Sequence, residues 1–439
     1  MTWKKDYESK FISADEAAQL VKPGDYVAFT GGRESFAIGL AISARKDELK
    51  NVRIYAPTPT YDFGWYDEGW QDSFALTISM PTATCQDAVD HKRLDFNPGT
   101  LIPLLVTEDT QDPDVLLTEV SAPDDNGFCS FGNSLWDKKS QIKRAKMTVA
   151  EVNPNLIRTY GDNFIHYSEI NYFVEHLSTG SAPGTGTLAG RAVKKPEPWL
   201  KKIAENVNGI VRDRDTIQIG VGRTTEPLVA LGMFDGKKDL GFHSEATPQG
   251  IISLVKSGVI NGKYKTINPS RVVVTSIGGS TREEMEWVHM NPIFHLVDVQ
   301  YLEDPRIIAA HDNFVAINNA LAIDITGQIG AESLGTRIMS AAGGQIPFVF
   351  GAGLSKGGRS VTVLPSTAQD GKVSRIMPCL PEGSTVTIQR NLADYIVTEY
   401  GVARLKGKSL RQRAEALISI AHPDFRPELE NAAKKRFWP

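Results

Sequence analysis

The chain has 439 residues, more than one hydrophobic core comfortably serves, so about two large domains are expected. Its 48 basic and 52 acidic residues are spread along the sequence and leave a formal net charge of −4, which argues against a nucleic-acid footprint or a polybasic membrane patch and leaves small molecules as the expected partners. Cys85, Cys129 and Cys379 stand far apart with no C-x-x-C spacing, so neither a disulfide framework nor a zinc site is expected, and a reducing cytoplasm fits. No apolar h-region follows the two N-terminal lysines, and no segment reaches the roughly 18 to 20 apolar residues that span a bilayer.

The first elements are punctuated clearly. Ser13 and Glu16 form an S-x-x-E capping box that opens a helix through Ala17, Leu20 and Val21, and Pro23-Gly24 stops it. A strand at Asp25 to Phe29 then runs into Thr30-Gly31-Gly32-Arg33-Glu34-Ser35. This order suits either a phosphate-cradling loop or a tight strand-to-helix connection with no ligand. Thr60 to Trp70, TYDFGWYDEGW, holds five aromatic residues without helical or strand periodicity and reads as a loop, either facing a ligand or packing an interface. Short apolar runs at Asn51, Leu101, Val115 and Met147 have the look of buried parallel strands, which makes the first domain α/β. His166 sits among aromatic and apolar neighbours, where a structural hydrogen bond is favoured over acid–base work.

The Gly, Ser, Thr and Pro of Leu177 to Gly190 mark the connection between domains, expected at residues 1–185 and 191–439. The second domain opens with a helix from Glu197 to Val207, a strand at Thr216 and a helix from Glu226 to Leu231. Strands are expected at Arg271 to Ser276, Phe314 to Ile317, Phe348 to Phe350, Ser360 to Leu364 and Thr385 to Thr387, with a helix from Ser409 to Ile420. The fold class is therefore α/β, two open, mostly parallel-sheet domains of similar make-up with the active site between them.

Leu240 to Gly250, LGFHSEATPQG, is a strand-like approach ending in Ser244-Glu245 and a Pro/Gly turn, which puts a carboxylate at the rim of a sheet. A carboxylate works as a nucleophile only when desolvated and faced by donors for the oxyanion it creates. Two glycine turns offer backbone amides: Gly220-Val221-Gly222 and Ala342-Gly343-Gly344-Gln345.

The HSE triplet resembles a motif of the acetyl-CoA hydrolase/transferase family, as do GGQIPFVFGA from Gly343, LPSTA from Leu364, VTEYGVARLKGKSLRQRA from Val397 and IAHPDF from Ile420. The branch most similar is that of the 4-hydroxybutyrate and butyryl-CoA:acetate CoA-transferases. The resemblance implies that Glu245 attacks an acyl-CoA and becomes a glutamyl-CoA thioester. Gly343, Gly344 and Gln345 would then lie at the acyl carbonyl, and Gly220, Gly222, Arg223, Thr224, Thr225 and Glu226 would form a CoA-contacting turn. Asn319 and Ala320 would pass beneath the CoA pocket or satisfy a buried turn.

Relatives carry a lysine just after PSTA, whereas here Gln369 follows and Lys372 comes later. Relatives also continue HSE with methionine, so Ala246, with Tyr61 and Trp65 from the aromatic loop, suggests a pocket for a bulkier acid. Glu399 reads as a surface or interdomain charge rather than a nucleophile. The implied activity is ping-pong CoA transfer with coenzyme A as co-substrate and no resident cofactor or metal, in a homo-oligomer. An acyl-CoA hydrolase and a non-catalytic acyl-CoA sensor are the alternatives.

Overall fold

The computed structural model describes residues 2–99, 111–178, 197–278 and 280–439. The expected strand at Leu101 and most of the Leu177 to Gly190 connection lie outside them. The chain forms two compact units, one of Met1–Gly190 with Val274–Tyr301, the other of Arg191–Val273 with Leu302–Pro439.

The first unit is built on a seven-stranded sheet, parallel throughout. Tyr26–Phe29 lies in its middle; Val52–Tyr55, Phe74–Ile78 and Asp95–Phe96 extend it one way, Val115–Val120, Thr148–Val152 and Tyr172–Glu175 the other. Strands buried on both faces read as largely apolar runs without alternation, and Val115–Val120 is buried at every position, Thr118 and Glu119 included. The capping box forms as expected, with Ser13 and Glu16 closing the first turn of helix Ala14–Gln19. Gly31 and Gly32 are packed under Trp136 and Ser134: a Cβ on Gly31 would stand 3.2 Å from the Trp136 ring, and one on Gly32 would collide with Ser134 Oγ. That side of the turn is filled by protein.

In the second unit, Thr216–Ile219 is central, with Gly241–Thr247 on one side and Phe314–Asn319, Arg359–Val363 and Tyr395–Thr398 on the other, all parallel. Gly401–Arg404 adds an antiparallel edge. The chain steps outward from Thr216–Ile219 in one direction and returns on the other, so the carboxyl ends of this strand and of Phe314–Asn319 flank a topological switch point, where open α/β sheets bind ligands. A buried pair, Arg359 to Asp215, ties strands on either side of Phe314–Asn319.

Three expected elements differ. Phe348–Phe350 belongs to a helix, Gln345–Leu354. Its first turn accommodates Pro347, whose missing N–H has no intrahelical partner there anyway, and burial of Phe348 and Val349 explains an apolar run that reads equally well as a strand. Glu226 to Leu231 contains only a short 3-10 turn, Glu226–Leu228, with Pro227 inside it. Thr385 to Thr387 forms no ladder; the Thr387 hydroxyl instead bonds Glu332 and receives the Ala331 amide.

Candidate active site

Strand Gly241–Thr247 gives each letter of HSE a separate task. His243 Nε2 donates to the Leu302 carbonyl at 2.8 Å, which fixes the segment entering Glu303. Its ring is tilted against His311 and edge-on to Phe314 and Phe348, and burial holds its basicity well below the usual histidine range, so it stays neutral. Ser244 points to the opposite face, where its hydroxyl donates to the Ile219 carbonyl at 3.1 Å and accepts the Ile219 amide at 3.3 Å. Glu245 returns to the His243 face.

The Glu245 carboxylate is half-buried and meets the first turn of helix Gln345–Leu354. Burial raises its pKa above the usual carboxylate value, and the neighbouring Glu303 carboxyl and Gly344 amide oppose that rise. A ten-residue helix concentrates free N–H groups and partial positive charge at that end, which favours an anion. Gly344 must be glycine for closeness: a Cβ there would lie 2.8 Å from Glu245 Oε2 and 2.9 Å from Glu303 Oε1. Gly343, at φ +52°, supplies the left-handed bend before it.

Glu303, which nothing local in the sequence singles out, is 1 % exposed and sits behind Glu245. Apart from Glu245, neither of its oxygens meets a hydrogen-bonding group among the described residues. Burial first, and then the Glu245 charge, push its pKa well above the usual carboxylate range. Two adjacent buried carboxylates cannot both be charged cheaply, so one proton stays with the pair. The stronger upward push falls on Glu303, which favours the shared proton there and leaves the charge on Glu245, at the helix end.

The other expected residues divide. Asn319, at the end of Phe314–Asn319, lies against Gly222, and Gln345 Nε2 donates to its carbonyl at 3.4 Å. Asn318 pairs both ways with Gln218 and packs on Gly220. Ala320 is buried. Within the Gly220 to Glu226 turn, the Thr225 hydroxyl donates to the Gly220 carbonyl, and the Gly222 amide donates to the Glu226 carboxylate at 3.2 Å. Arg223 is exposed at the turn and Thr224 partly so.

Ala246 is a correction. It is 1 % exposed and, by strand alternation, lies on the face opposite Glu245, so it does not line a pocket at the nucleophile. Trp65 is likewise a core residue with no exposure, packed on Phe29, Phe63 and Phe74, and Tyr61 tilts against Phe36. The carboxylate of Glu399 receives the Ser366 amide at 2.9 Å and its hydroxyl, anchoring the LPSTA turn. His166 caps a 3-10 turn and bonds Ser168 at 2.7 Å. Gln369 occupies a left-handed turn position, and Lys372 is exposed. Among the described residues no three His, Cys, Asp or Glu side chains form a metal cluster, and no helix is long and apolar enough to cross a membrane.

Full-length relatives at 33–40 % identity are named CoA transferases, which makes this α/β chain an enzyme of that class. Residues 1–180 match the acetyl-CoA hydrolase/transferase N-terminal domain and residues 280–433 the corresponding C-terminal domain. The chain belongs to the acetyl-CoA hydrolase/transferase family. It is 40 % identical over 440 residues to the 4-hydroxybutyrate coenzyme A transferase of Clostridium kluyveri, covering 100 % of each chain. The succinyl-CoA:cyclohexane-1-carboxylate CoA transferase of Geobacter metallireducens is 34 % identical, over 99 % of this chain and 97 % of its own. The crystal structure of RipA from Yersinia pestis superposes with a TM-score of 0.88 at 30 % identity, covering 98 % of both chains.

Proposed function

We propose that the protein moves coenzyme A between an acyl-CoA and a free organic carboxylate by double displacement through Glu245. The observation that carries this reading is a partly buried carboxylate at the carboxyl end of a parallel strand, facing the Gly344 backbone at a helix N-terminus and backed by the buried Glu303 carboxyl. Glu245 attacks the thioester carbonyl, giving an acyl-glutamyl anhydride and CoA thiolate. The thiolate then attacks the Glu245 carbonyl carbon, forms glutamyl-CoA and expels the first acid as its carboxylate. An acceptor carboxylate repeats the two steps in reverse. Each thioester consumed yields one thioester and each carboxylate one carboxylate, so the cycle requires no nucleotide and no net proton transfer.

Desolvation makes this nucleophile competent: burial removes part of its hydration, while the Gly344 and Glu303 donors hold it in one orientation. Relatives named for a hydroxy acid and for a ring acid support a reading in which the carboxylate is a small organic acid. With Ala246 turned away and Trp65 in the core, a specifically bulky acid has no support from either residue. The homo-oligomer and the cytoplasmic setting are carried over as part of the same reading. Incubation with labelled acetate and a panel of acyl-CoAs tests it. Label entering the thioester pool supports transfer; release of free CoA without label uptake identifies a hydrolase, and neither outcome leaves a binding protein.

A further inference from the structure

Three features of Glu303 go unused in a scheme that needs only a nucleophile. It is sealed behind Glu245, its two oxygens find no other partner among the described residues, and His243 spends its N–H on the preceding carbonyl to hold it there. On the turn that follows, Asp304 is directed elsewhere, capping helix Pro305–Ala309 and pairing with Arg306 at 2.6 Å. A buried carboxyl with one neighbour is costly unless that contact has a task.

We propose that the Glu303 carboxylic acid is a catalytic hydrogen-bond donor to the oxyanion that forms on Glu245 itself, acting jointly with the Gly344 amide. The inference rests on the double-displacement reading and deepens it. When CoA thiolate adds to the Glu245 carbonyl carbon, a sulfur–carbon bond forms and the carbonyl pair moves onto the remaining glutamyl oxygen. In this proposal the Gly344 N–H and the Glu303 O–H, both adjacent to the Glu245 carboxyl, donate to that oxygen. The pair then returns, the bond to the departing acid breaks, and the acid leaves as its carboxylate. The Glu303 proton is never given up.

A carboxylic acid kept neutral by its surroundings is an effective donor to an oxyanion, and removal of one such donor costs about 10²- to 10³-fold in kcat. The charge on Glu245 in the resting enzyme strengthens the acid's hold on its proton, and dispersal of that charge on acylation leaves the donor in place. Other titratable groups surround the pair. His243 and His311 are neutral, the latter pushed down to about 4 by burial. Lys265, pushed down to about 7 by burial, donates to the Phe242 and Arg271 carbonyls at 3.0 Å. Asp304 is held low by Arg306.

The test compares kcat against pH for the parent enzyme, Glu303→Gln and Glu303→Ala. Glutamine keeps a neutral N–H donor that cannot ionise, whereas alanine removes the donor. The parent should lose kcat on an alkaline limb as Glu303 ionises. Glu303→Gln should remain within about 10-fold of the parent at neutral pH and lose that limb, and Glu303→Ala should fall about 10²- to 10³-fold in kcat with little change in KM for acyl-CoA. The Lys265 titration is common to all three and cancels in the comparison. An alkaline limb retained in Glu303→Gln, or an alanine variant within about 3-fold of the parent, overturns the assignment. If neither variant folds, adduct formation by the parent enzyme and by Lys265→Met decides: a rate independent of pH on the alkaline side overturns it, and a fall that persists without Lys265 supports it. Glu245→Ala separates the two claims. Turnover by that variant removes the double-displacement reading, whereas an inactive Glu245→Ala beside an unaffected Glu303→Ala removes only the role of Glu303.

Discussion

Gly344→Ala is the sharpest perturbation the site offers. The glycine has φ −78°, a value alanine adopts without strain, so the backbone is not what the substitution disturbs. The added methyl would stand 2.8 Å from Glu245 Oε2, 2.9 Å from its Cδ and 2.9 Å from Glu303 Oε1, whereas ordinary contact begins at 3.4 Å. Relief requires the carboxylate to retreat about 0.6 Å, since misplacements of this order cost near-attack geometry heavily. At about 10²-fold per ångström, kcat should fall about 10- to 100-fold, with further loss if the Gly344 amide no longer reaches the oxyanion. Steady-state CoA transfer, with circular dichroism and thermal melting to show an intact fold, measures this directly. A Gly344→Ala enzyme of parental kcat would refute the packing of that glycine against the nucleophile.

Glu245→Asp should be nearly as inactive as Glu245→Ala, because retraction by one methylene, roughly 1.5 Å, moves the carboxylate out of reach; near-parental turnover by the aspartate enzyme would contradict the nucleophile role. Ala246→Met should destabilise the protein by about 1–3 kcal/mol through overpacking, visible in urea denaturation, while leaving the ranking of acyl-CoA substrates unchanged; a changed ranking with parental stability would place Ala246 in the pocket after all. Glu34, buried and raised to about 7 by desolvation while accepting the Thr60 and Tyr61 amides, favours its protonated form in the folded state. Its contribution to stability is full below the unfolded value of 4.5 and is lost as pH rises through about 7. The loss is on the order of 3 kcal/mol. The difference between parent and Glu34→Gln in unfolding free energy should therefore change between pH 5 and pH 8, and parallel curves would show that Glu34 is not protonated in the fold.

How much of this was legible in the sequence depended on how local each signal was. The capping box at Ser13 and Glu16 is complete within four residues and forms as read. The parallel strands announce themselves as apolar runs, since burial on both faces removes alternation. HSE pointed to Glu245, but the tasks of His243 and Ser244 depend on Leu302 and Ile219, partners that sequence order does not place beside them. Glu303 carries no motif, and its neighbour Asp304, opening a helix before Pro305, is the more conspicuous acid. PFVF was misleading because a short apolar run followed by small residues fits a buried strand and a buried helix alike; Gly344 as N-cap and Pro347 in the first turn decide for the helix. The reading of Ala246 failed on a simpler point, that neighbours along a strand face opposite ways.

The central claim is that Glu245 becomes covalently joined to coenzyme A. Incubating the enzyme with acyl-CoA, reducing the thioester with borohydride or trapping it with hydroxylamine, and locating the modification by peptide mass spectrometry tests it most directly. The account predicts modification of Glu245 alone, absent from Glu245→Ala; modification of Glu303 or Glu399, or turnover with no modified carboxylate, would contradict it.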